Sequence, residues 1–169
     1  MFLRHPAVTV LSRSSIGRDC LILAFVVGTA GGAPAEDGIA VITGPIRPAI
    51  AFNRANLQDI FLKRIQVDDD GHPLQALNLP ADDPLREAFS IEVLGRRPGA
   101  MQRYWTEQYF HGVSPPFVVR SPEAMVRYVA ETRGAVGYLP QCQVDARVQV
   151  VAHLSVPADL ASRLRHVCE

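Results

Sequence analysis

The tightest constraint on this chain is the stretch 74–89, LQALNLPADDPLREAF, in which a short apolar run meets a turn carrying two carboxylates and then a helix start. Residues 74–79 have the length and apolar content of a buried strand. Pro84 suits the first turn of a helix, because its missing N–H would be unpaired there anyway, and Asp82 or Asp83 can cap the N–H groups that follow. A strand-to-helix junction gathers free backbone N–H groups and the positive end of the helix dipole, and in many α/β proteins a ligand sits there.

The flanking sequence extends this alternation. IAVI at 39–42 is an apolar run stopped by Gly44, Pro45 and Pro48, hence a buried strand. Asn53 caps a helix reaching about Lys63, with Leu57, Ile60 and Phe61 on one face. The helix opened by Pro84 carries Leu85, Ala88, Phe89 and Leu94 and ends near Gly95. A third helix spans about 100–110, where Met101, Tyr104, Trp105 and Tyr109 form an aromatic stripe. Such a stripe can stack a base or a sugar; it is read here as core, since the chain has one Trp and needs bulk inside. Pro115 and Pro116 keep 112–120 extended. Ser121 and Pro122 then start a helix with Met125, Tyr128 and Val129 inward, closed by Arg133 and Gly134. AVGYL at 135–139 and RVQVVAH at 147–153 are further strands, and 157–167 is a short amphipathic tail helix. Strands separated by helices predict one layered α/β domain with a central mixed sheet flanked by helices.

The first 35 of the 169 residues have another character. Arg4, Arg13 and Arg18 precede the apolar run LILAFVVGTA at 21–30, which leads to Ala33, Pro34 and Ala35. A basic lead, an apolar run of about ten residues and an A-x-A exit predict a secretory signal peptide over 1–35, cleaved after Ala35, and a domain over 36–169. The run is too short to span a bilayer, so no membrane insertion is expected after cleavage. The exported part holds 14 basic and 16 acidic residues, a formal charge of −2. That balance gives no electrostatic footprint for nucleic acid. Cys142 and Cys168 remain in it, and in an oxidising compartment they are either a disulfide tying the tail to the core or two buried thiols.

No motif for established chemistry appears. The sequence lacks a nucleophile elbow, a Walker loop and a dinucleotide fingerprint, and nothing calls for a cofactor. His72, His111, His153 and His166 lack metal-ligand spacing and are read as surface or structural residues. The run QVDDDGHP at 66–73 fails the EF-hand pattern, with Gln66 at its first ligand position and Leu77 at its twelfth, and is read as a solvated turn. Cys142 as a thiol nucleophile has no matched base. A catalytic set is not expected.

The order of ANLQDIFLKR, the DDDGHP turn, the LREAF helix, the loop before PPFVV and RGAVGYLP resembles one lobe of the phosphate-type periplasmic solute-binding proteins of ABC transporters, over about 39–151. The resemblance implies a type II periplasmic-binding-protein-like lobe, with the strands near Ile39 and Val148 where a hinge begins. It also implies a phosphate-binding turn of the form R-x-x-G-S-G-T-R. Aligned on 86–89, the first Arg of that pattern falls on Leu79, its glycines on Asp82 and Pro84, its Ser on Asp83 and its Thr on Leu85; Arg86 alone matches. The ligand-binding positions carried over are therefore Asp82, Asp83, Leu85 and Arg86. Their chemistry has changed: Pro84 removes a donor, and an Asp cap occupies and repels what an anion would use. Arg86, Arg96, Arg97 and Arg103 are read as a solvated helix surface that holds an anion weakly at most. The expected partners are a small anion and a membrane transporter or sensor protein.

Overall fold

The computed structural model describes residues 38–156, 160–162, 164 and 168. Residues 1–35, expected to be a signal peptide, and His166 lie outside the described residues.

Five strands form one mixed sheet in the order β3-β2-β4-β1-β5: β1 (Ile39–Thr43), β2 (Gln75–Asn78), β3 (Phe117–Val118), β4 (Ala135–Pro140) and β5 (Gln149–Leu154). β1 runs antiparallel to both its neighbours, pairing Val41 with Tyr138 of β4 and with Ala152 of β5. β2 lies parallel to β3 and β4, so each of those links crosses over through helix. All of β1 is buried, which fits its central place and its uninterrupted apolar sequence.

The helices start where their caps say. α1 (Arg54–Phe61) follows Asn53, whose side chain accepts from the Asn56 N–H at 2.9 Å. α4 (Pro122–Glu131) follows Ser121, whose hydroxyl accepts from the Ala124 N–H at 3.1 Å, and it buries Met125 and Val129. Gly134 next turns the chain into β4 at φ 78°, where a Cβ would collide with the Pro73 carbonyl, so only glycine fits. α2 (Pro84–Phe89) continues as a π-helical segment, Ser90–Leu94, closed by Gly95 in the left-handed conformation. The single helix expected to Gly95 is thus divided, and the wider π turn shifts the face that follows Ser90.

Three expectations are corrected. α3 (Gln102–Phe110) buries none of its residues: Tyr104 and Trp105 are partly covered, while Tyr109 and Phe110 are 72% and 81% exposed. The stripe is therefore core only at its start: Met101 is buried, Tyr104 and Trp105 pack against the core edge, and Tyr109 is not covered by any described residue to the same degree. The 66–73 turn is not uniformly solvated either. Asp68 is buried, and its carboxylate accepts from the N–H groups of Ala49, Asp70 and His72 at 3.1, 3.1 and 2.8 Å. Burial pushes its pKa up, but those backbone donors and His72 outweigh it and hold the carboxyl below its usual range. The third correction is Arg86, which lies inside the protein instead of on a helix surface.

Cys142 and Cys168 form a disulfide with their Cα atoms 6.0 Å apart, joining the turn after β4 to the tail, where Leu160 and Leu164 are buried against the core. The main core lies between the sheet and α1, α2 and α4, with Phe61, Phe89 and Tyr138 at its centre. Phe89 stacks on Tyr138 with centroids 3.9 Å apart and planes 4° from parallel, and Phe61 lies 4.5 Å from Phe89.

Candidate functional site

The turn between β2 and α2 is built from local rules. Pro80 ends the strand, and its carbonyl accepts from the Asp83 N–H at 3.1 Å, which closes a tight turn over 80–83. Asp83 then sits extended at the N-cap, with Pro84 as the first helical residue. Its Oδ1 accepts from the Leu85 N–H at 2.8 Å and the Arg86 N–H at 3.3 Å. Those two donors are the ones an anion at the head of this helix would use. Asp82 is exposed and points its charge to water beside the cap.

Leu85 and Arg86 both turn inward, Leu85 into the core and Arg86 beside Tyr138. Arg86 is only 7% exposed, and its Nε and Nη1 are shut from solvent with no hydrogen-bond partner among the described residues. Burial lowers its pKa, while Tyr138 beside it works in the opposite direction. Tyr138 is itself driven upward by burial, with the guanidinium partly offsetting that. Its hydroxyl accepts from the Leu79 N–H at 3.1 Å and reaches Asn78 Oδ1 at 3.4 Å, which locks the end of β2 to β4. Ser90, four residues after Arg86, also has a buried hydroxyl without a partner among the described residues. A buried cation with free donors is costly unless an acceptor reaches it, so this is the one place near the turn with chemical reason to hold an anion or a water.

The arginines grouped with Arg86 go elsewhere. Arg97 pairs with Glu87, and Arg103 pairs with Glu107 at 3.3 Å on the outer face of α3. Arg96 is exposed just past Gly95. The four do not form one basic face. Of the residues that matter here, Asn78 and Ser90 were assigned no role, and Tyr138 entered only as part of RGAVGYLP; the signal available for it was a tyrosine in an otherwise apolar buried strand, whose hydroxyl needs a partner. No group of metal-ligating side chains occurs among the described residues, and none of their helices is long and apolar enough to cross a membrane.

By sequence, no family model matches the chain, and neither does any curated protein. By structure it is similar to a protein from Clostridium perfringens described as a phosphate ABC transporter substrate-binding protein and solved with bound phosphate. That match has 19% identity and a TM-score of 0.55, over 68% of this chain and 44% of that one. PstS from Borrelia burgdorferi matches at 15% identity and a TM-score of 0.52, over 72% of this chain and 47% of that one. The chain therefore spans less than half the length of these relatives. The likeness is one of fold: the mixed five-stranded sheet and its flanking helices match about one half of a longer α/β protein described as a phosphate ABC transporter substrate-binding protein.

Proposed function

We propose that this chain is an exported solute-binding-like lobe whose anion turn is closed from within, leaving at most weak binding of a small anion. The observation that carries the reading is Asp83 on the Leu85 and Arg86 N–H groups, at the turn where the resemblance places phosphate. A carboxylate about 4 Å from a bound phosphate costs on the order of 1–4 kcal/mol per charge pair, depending on the local dielectric. A binding role is supported by a structural neighbour described as a phosphate ABC transporter substrate-binding protein. Export by the 1–35 leader and a periplasmic or secreted setting belong to the same reading.

The test is titration calorimetry with inorganic phosphate on the wild type and on Asp83→Ser. Serine keeps a capping oxygen and removes the charge, so the cap survives within a few tenths of a kcal/mol. Wild type should bind no tighter than the millimolar range, and the variant about tenfold tighter. Micromolar binding by the wild type, or equal isotherms for the two, would sink the closed-turn reading.

A second reading, a module that docks on a transporter or sensor protein, is favoured by one observation. Tyr109 and Phe110 at the end of α3, and Phe117 and Val118 on the edge strand β3, are all exposed apolar residues. In sedimentation runs with a periplasmic extract, this reading expects the chain to travel in a larger complex that Phe110→Asp with Phe117→Asp dissolves. Unchanged monomeric sedimentation of the wild type in that extract speaks against it.

A further inference from the structure

Away from the Asp83 turn, the end of α1, the close of the π segment and the start of α3 surround a cavity of about 320 Å³. That volume is at the low end of the roughly 300–1,000 Å³ typical of small-ligand sites. Its floor is Leu62, Leu94 and Met101, three apolar side chains from three separate elements, each well buried. The rest of its lining is Gln58, Arg64, Arg96 and Tyr104.

These polar groups differ in what they still have to offer. The Tyr104 hydroxyl donates to the Leu62 carbonyl at 2.8 Å, which fixes the ring as a wall. Arg64 is held by Asp59 at 3.1 Å, so its charge is already matched. Arg96 is exposed and makes no side-chain hydrogen bond or ion pair among the described residues. The cavity thus combines an apolar floor with one uncompensated cation at its mouth.

This combination selects an amphiphile. Inorganic phosphate or sulfate has nothing to lay on Leu62, Leu94 and Met101, and a neutral apolar molecule leaves Arg96 unmatched. We propose that the cavity binds a small organic monoanion, a carboxylate with a compact aliphatic body, its head on Arg96 and its body on the Leu62–Leu94–Met101 floor. Met101 suits such a role, because its unbranched thioether adapts to bodies of different shape. The site is independent of the Asp83 turn and stands whether or not that turn holds phosphate.

The experiment is an NMR titration of the full chain with acetate, butanoate and hexanoate, read at the methyl groups of Leu62, Leu94 and Met101. Affinity should rise with chain length, by up to about fourfold for each methylene removed from water. Arg96→Gln should weaken hexanoate about tenfold; Asp83→Ser should leave it unchanged, which separates this site from the phosphate reading. Arg96 is exposed, so its replacement leaves the core intact, and the chain-length series on the wild type stands without it. Equal response to acetate and hexanoate, or hexanoate affinity unmoved by Arg96→Gln, overturns the proposal.

Discussion

Replacing Phe89 by alanine should cost about 3–5 kcal/mol of folding stability, the usual range for deleting a fully buried aromatic ring. Phe89 has no exposed surface, stacks on Tyr138 at 3.9 Å and meets Phe61 at 4.5 Å, so its removal takes away two ring contacts as well as apolar burial. The neighbours cannot easily fill the space. Tyr138 is held by the Leu79 N–H, and Phe61 ends α1 where the chain must turn. Urea unfolding followed by circular dichroism should show a lower midpoint with an unchanged slope. A loss below about 1 kcal/mol would mean that the three rings do not form the rigid centre described here.

Replacing Arg86 by methionine should act in the opposite direction. The guanidinium has two buried nitrogens without partners, and an unsatisfied buried polar group costs about 1–3 kcal/mol, more when charged. Methionine keeps an unbranched apolar shaft along the path of the arginine stem and carries no charge. In phosphate-free buffer of low ionic strength the variant should be more stable than the wild type by about 1–3 kcal/mol. Added phosphate should narrow that gap, because an anion that binds only the folded wild type stabilises it by mass action. A variant less stable by more than 1 kcal/mol would show that the guanidinium is satisfied in solution, and Arg86 would then be a structural residue.

The two results bear on one question, whether the head of α2 is a site or a support. Tyr138, stacked on Phe89, lies beside Arg86, while Asp83 takes the backbone N–H groups at the head of α2. A cap at Asp82 or Asp83 was legible from D-D-P-L alone, since an N-cap and a proline in the first turn act within three or four residues, and the structure selects Asp83. Asn53 and Ser121 were legible for the same reason, and so were the glycine stops at Gly95 and Gly134.

The burial of Arg86 was not legible. Its charge suggests an exposed position, and nothing within a turn of it shows that Tyr138, 52 residues later, comes beside it. Asp68 misled in the same manner: three consecutive aspartates read as solvated, yet the fold brings the Ala49 N–H to one of them. The stripe on α3 failed in reverse. Its spacing correctly predicted a helix and Met101 is core, but Tyr109 remains exposed because no described segment packs over the far end of the helix.

The sequence by itself determined most of the elements, their caps and their order, and through that order a layered α/β fold, because those features depend on residues close together in the chain. The tertiary structure alone decided which charges were buried, which apolar residues stayed exposed and which cysteines met. Burial and exposure are set by contacts between segments far apart in sequence, such as β1 with β4 and β5, and no local pattern encodes which side chain such a contact will cover.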